Sequence, residues 1–222
     1  SQNIDEIGDI IIDDRGKIKS VGKSEKNSGT SKSIEKIDLK GNIAIPGIVD
    51  MKAFVGEPGF EYKENFRTLS QAALAGGVTS IVTMPNTKPI IDNVSMVDFI
   101  IRRGRDKSKV NLFPCASITR QIEGNQMTEF GLLKARGVIG FSDVNKTIQN
   151  TELMSRIMNY ASDLDVLIMQ HAEDYELSKN SCINESEVAT RLGLQGVSDI
   201  AEKIIIERDL SLLSEFPCRY HI

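Results

Sequence analysis

The chain has 222 residues, enough for one large domain or two small ones, and its 40% apolar content and 17 glycines suit an ordinary globular protein. A net charge of −4 and a pI near 5.4 give no electrostatic footprint for nucleic acid or an anionic membrane. No apolar run approaches the roughly 18 residues that suggest a membrane span.

The polar, acidic start SQNIDEIGDI does not read as a signal peptide. Cys115, Cys182 and Cys218 are odd in number, far apart and without a CxxC, as expected for reduced thiols of a cytoplasmic protein. His171 and His221 are the only histidines, which narrows the metal chemistry open to the chain.

In chain order, residues 8–22 predict a hairpin: DIIID, a DRG turn, then the alternating KIKSVG. Residues 23–37 are Lys/Ser/Gly-rich and predict a mobile loop. From residue 43 the pattern changes to short apolar runs separated by amphipathic stretches. Strands are predicted at 43–51, 80–84, 111–116, 138–141, 166–170 and 219–222. Phe66, Leu69 and Ala73 share one helix face, as do Val94, Val97, Ile101 and Gly104. Leu153, Ile157, Tyr160, Ala161 and Leu164 form a third stripe. Asn93 and Asn150 stand where helix N-caps belong.

This alternation predicts a parallel sheet with helical cover, divided as a small β part over 1–42 and an α/β body over 43–222. An open doubly wound sheet and a (β/α) barrel both fit. The first strand of the body lacks the GxGxxG that would favour a dinucleotide fold. In a barrel, chemistry collects at the C-terminal ends of the strands. Those ends carry Asp50, Lys52 and Phe54 on one side of the first strand, then Asn86 in MPNTKP and Asp143 in FSD. His171, Glu173 and Asp174 follow in MQHAED, and His221 sits on the last strand. Each is open to a plainer reading: a core histidine, a helix-capping aspartate, a turn asparagine.

The order IPGIVDM, EPGFEYKE, AALAGGVTS, MPNTKPIIDN, FSD, HAED and NESEVATRLGL resembles the dihydroorotase family of the amidohydrolase superfamily over nearly the whole chain. The resemblance implies a TIM-type (β/α)8 barrel with a small β-sandwich built from both chain ends. About six of the eight strands lie in this chain, and the remaining two, with the family's catalytic aspartate, are expected beyond residue 222. The implied reaction is the reversible cyclisation of carbamoyl aspartate to dihydroorotate in pyrimidine biosynthesis, with zinc polarising a carbonyl and supplying hydroxide.

Carried over position by position, Asn86 falls on a substrate-carboxylate binder, while Asp143 and His171 fall on metal ligands. The family's His-x-His pair and the arginine that follows it are replaced here by Lys52, Phe54 and Gly56. His221 matches the histidine before the ligand, not the ligand itself. A zinc site needs about three protein ligands, so the resemblance implies a degenerate site, with zinc absent or weakly held, and a structural or regulatory protein. The alternative is an active cyclic amidohydrolase with a single-metal site completed by residues beyond 222. Two readings stand for Lys52: its ammonium pairs with Asp143 or Asp50 in the vacated metal site, or it is a solvated loop lysine. The implied partners are aspartate transcarbamoylase and further copies of the chain itself.

Overall fold

The computed structural model describes residues 6–23 and 35–222. It divides into two compact units, Ser1–Ile45 and Pro46–Ile222. Most of the loop predicted at 23–37 lies outside the described residues.

In the first unit, β1 (Asp9–Ile12) pairs antiparallel with β2 (Ile18–Gly22), as predicted. The turn is held by Asp13, whose Oδ1 accepts the backbone N–H groups of Arg15 and Lys17 at 2.9 and 2.8 Å. Gly16 supplies a left-handed φ of 73° there.

The second unit alternates strand and helix. Its first elements are β3 (Ile48–Ala53), α1 (Phe66–Ala75), β4 (Val78–Thr83), α2 (Val94–Lys107) and β5 (Asn111–Ala116). There follow α3 (Phe130–Ala135), β6 (Gly140–Phe141), α4 (Thr151–Asp163), β7 (Leu167–Met169) and α5 (Tyr175–Ser178). The chain then forms β8 (Ile183–Asn184), α6 (Glu187–Leu192), β9 (Gly196–Val197), α7 (Ile200–Glu215) and β10 (Arg219–His221). The main sheet is parallel, six-stranded and ordered β10-β7-β6-β5-β4-β3. Sequential strands are therefore neighbours throughout, which is barrel order rather than the reversal of a doubly wound sheet.

The predicted caps form. Asn93 Oδ1 accepts from Met96 N at 3.1 Å, and Asn150 Oδ1 from Leu153 N at 2.9 Å. At α1, Asn65 and Thr68 make a reciprocal capping box. The first strand of the body begins at Ile48 rather than at residue 43, since Pro46 cannot donate to a ladder. β6 is shorter than predicted because Val138 still donates to Leu133 O, closing the end of α3. The small parallel pair β8–β9 was not predicted.

Alternation along the strands splits the core into two layers. Ala116, Phe141 and Ile168 join the larger cluster against the helices, where Phe130 stacks on Phe141 at 4.0 Å between ring centroids. Their neighbours Cys115 and Met169 join Val82, Met84, Ile122 and Val144 on the opposite, inner face.

Candidate active site

The C-terminal strand ends open onto a cavity of about 670 Å³. Lys52, His171, Glu173 and His221 line it, as do Glu185 and Glu202, which the sequence did not single out. β3 is exposed from Ile48 to Lys52, and alternation shows only at its end: Ala53 and Val55 are buried, Lys52 and Phe54 exposed. The Asp50 carboxylate accepts the Lys52 backbone N–H at 2.9 Å. Among the described residues the Lys52 ammonium is within ion-pair distance of no carboxylate. The pairing with Asp143 or Asp50 is therefore not formed. Lys52 lines the cavity without an ion-pair partner among the described residues.

The Phe54 ring leans on Phe60, 6.2 Å away between centroids, and Phe60 meets Tyr62 edge-on at 6.5 Å. Lys63 Nζ lies 5.4 Å from the Phe60 ring centroid, within cation–π range. Gly56 is buried beneath this loop. A Cβ there would sit 2.4 Å from Phe60 O and 2.8 Å from Glu64 O, so the backbone closes the space a side chain would need. The next residue, Glu57, is buried and joined to Arg103 on α2 at 2.7 Å, a contact without a sequence signal.

His171 is half-buried, with Nε2 2.9 Å from Glu173 Oε2. The Ser178 hydroxyl, and after it His171, hold Glu173 below the usual glutamate range. Thr147 ties the two residues together: its hydroxyl donates to His171 O at 2.5 Å and accepts from Glu173 N at 3.0 Å. Asp174 caps α5, accepting from Leu177 N at 3.1 Å. His221 lines the cavity, and its carbonyl accepts from Gln170 N at 2.9 Å.

Asp143 lines neither this cavity nor the next. It follows Phe141 by two residues and is 1% exposed, with its carboxylate bonded to Thr119. Burial pushes its carboxyl above the usual aspartate value, and the Thr119 hydrogen bonds offset this only in part. Asn86 stands in a separate cleft of about 290 Å³ with Phe60, Lys88 and Gln121. Its Oδ1 is buried without a hydrogen-bond partner among the described residues. The sequence-nominated residues are thus divided: Lys52, His171, Glu173 and His221 on one cavity, Asn86 on another, Asp143 on neither. No group of three or more His, Cys, Asp or Glu side chains among the described residues could hold a metal ion.

A six-stranded parallel sheet in barrel order, with polar residues at its C-terminal strand ends, defines an α/β protein of the barrel class. The same fold is found in the L-hydantoinase of Arthrobacter aurescens, at a TM-score of 0.72 and 19% identity over 95% of this chain and 48% of that one. Saccharomyces cerevisiae dihydroorotase, solved with 5-fluoroorotic acid, aligns at a TM-score of 0.54 and 14% identity, covering 78% of this chain and 46% of that one.

The family model described as dihydro-orotase-like matches residues 41–222, and the chain belongs to that family. It is 42% identical to the dihydroorotase of Syntrophus aciditrophicus over 97% of this chain and 50% of that protein. With the dihydroorotase of Trichlorobacter lovleyi the identity is 37%, over 100% of this chain and 51% of that protein. The chain thus spans about half the length of these relatives. No helix among the described residues is long and apolar enough to cross a membrane.

Proposed function

We propose that this chain belongs to a cytoplasmic dihydroorotase homologue of pyrimidine biosynthesis that has lost metal-dependent hydrolysis and serves a structural or regulatory role. The observation that carries the reading is the first strand end. Where the family resemblance calls for two histidines and an arginine, there stand an unpaired ammonium, an aromatic ring and a glycine whose backbone leaves no room for a side chain.

The remaining donors do not make up the loss. A catalytic zinc takes about three protein ligands. His171 is engaged with Glu173, and Asp143 is turned from the cavity onto Thr119. The residues described here therefore do not fit a catalytic zinc. Gly56 also lacks the guanidinium that would grip a carboxylate in bidentate fashion.

The test is zinc content and carbamoyl aspartate turnover of the full-length protein. The expected result is substoichiometric zinc and no turnover above background. Stoichiometric zinc with turnover would establish the alternative, an active cyclic amidohydrolase whose metal site is completed beyond residue 222. The proposed partners are further copies of the chain and aspartate transcarbamoylase. Purification of the full-length protein from its native cell without any transcarbamoylase would count against the second.

A further inference from the structure

We infer that Asp143, the carboxylate which the family resemblance places among the metal ligands, acts in this chain as the anchor of the 117–128 loop. The inference rests on the reading that the metal site is lost, and it says what became of a retained residue.

Both carboxylate oxygens are engaged. Oδ1 accepts the Thr119 backbone N–H at 3.0 Å, and Oδ2 accepts the Thr119 hydroxyl. The Thr119 oxygen in turn accepts Gly124 N–H at 2.9 Å, so a single carboxylate fixes both ends of the 119–124 turn. That turn needs holding. Gln121 and Ile122 are consecutive non-glycine residues with φ of 54° and 57°, a region that side-chain-bearing residues seldom adopt and that persists where surrounding contacts impose it. Two further contacts complete the clamp. Gln121 reaches Asp92 Oδ2 through its backbone N and its Nε2, at 3.1 and 2.8 Å. Lys146 Nζ donates to Ile122 O at 2.9 Å, and its charge also favours the ionised form of Asp143.

Direction, rather than a shortage of lone pairs, removes Asp143 from the cavity. A carboxylate has about four acceptor sites and can serve several partners. Here Ser142 and Val144 line the cavity on either side of Asp143, which does not line it and gives both carboxylate oxygens to Thr119. Metal chemistry has no call on this carboxylate in that position, and the loop has two.

Hydrogen exchange on the full-length protein tests the assignment with Thr119→Val, Thr119→Ser and Asp143→Ala. Peptides covering 117–128 are expected to exchange at least about tenfold faster in the valine and alanine variants and at the wild-type rate in the serine variant. In the Thr119→Val/Asp143→Ala double variant the two effects should be less than additive, because the single variants share the loss of the Thr119 hydroxyl–Asp143 bond. Zinc content should not depend on Asp143. Unchanged exchange in both single variants overturns the anchor and leaves the loss-of-metal reading standing. Loss of stoichiometric zinc on Asp143→Ala overturns both.

Discussion

Glu57 is 3% exposed, and a buried carboxylate is costly unless it is paired and hydrogen-bonded. Its partners are Arg103, whose Nε donates at 2.8 Å, and the Phe66 backbone N–H at the start of α1, at 3.1 Å. Replacing Arg103 by Met would leave the carboxylate with the Phe66 bond alone. We expect a loss of about 2 kcal/mol, from the worth of hydrogen bonds to charged groups. Arg103 is itself 43% exposed, which keeps the figure at the low end. The urea midpoint of Arg103→Met reports it, and no change would mean that water already screens the pair. Asp143 gives a second expectation, in pH. Its carboxyl titrates above the usual value of 3.8 in the folded protein, so the folded state holds that proton more tightly than the unfolded state. The stability this contributes is fully present below 3.8 and is lost as pH rises through the raised value. Asp143→Asn has no such proton. The wild-type stability minus that of the variant should therefore fall with rising pH and then level off. Glu173, shifted the other way, is common to both proteins and cancels. A difference that rises with pH would sink the assignment.

The loop after β3 is closed by its own backbone around Gly56. Gly56 faces Phe60 O and Glu64 O, and Phe60 N donates back to Gly56 O at 2.5 Å. Gly56→Ala should cost about 1–3 kcal/mol, the usual range for forcing atoms into a filled site. A triple Lys52→His, Phe54→His, Gly56→Arg variant of the full-length protein should gain neither stoichiometric zinc nor turnover, because its arginine has no room in this backbone. Restored activity would show that the loop yields. The sequence carried this element's shape in part: an apolar run into EPG is a strand and loop, but its exposure on both faces up to Lys52 was not legible. Asn93 and Asn150 were legible as caps because capping is local. What escaped was set by distance or direction. Glu57 meets Arg103 across 46 positions with no pattern to link them. Asp143 looked like a site residue from its place at a strand end, but its carboxylate is taken by Thr119, 24 positions away. β8 and β9 are two residues each, too short for a period-two signal. α7 was invisible as a stripe because its apolar residues run round the helix, with Ile204 and Leu210 exposed and Ile205 buried.

At the scale of the whole sheet, β3 and β10 are its two edges, and neither has a second neighbour among the described residues. A parallel edge presents unpaired N–H and C=O groups, a template for another strand unless charge, proline or a covering element blunts it. β3 carries Lys52 near its C-terminal end, and its first half is poorly blunted. Ile48, Val49 and Met51 are 49%, 57% and 42% exposed, so apolar side chains lie open on both faces of the edge strand. Asp50 is the acidic residue between them, and it is turned back onto its own chain through Lys52 N. The 222-residue chain prepared alone should therefore associate with rising concentration, read as an increasing weight-average mass in sedimentation equilibrium. Val49→Lys puts a charge on the exposed edge and away from the buried layers. It should shift the distribution toward monomer while moving the urea midpoint little, since exposed substitutions are usually within about 0.5 kcal/mol. A chain that stays monomeric at every concentration would mean that this edge is protected by something other than its described residues. Association that Val49→Lys leaves intact would move the contact to another surface, with β10 the next edge to charge.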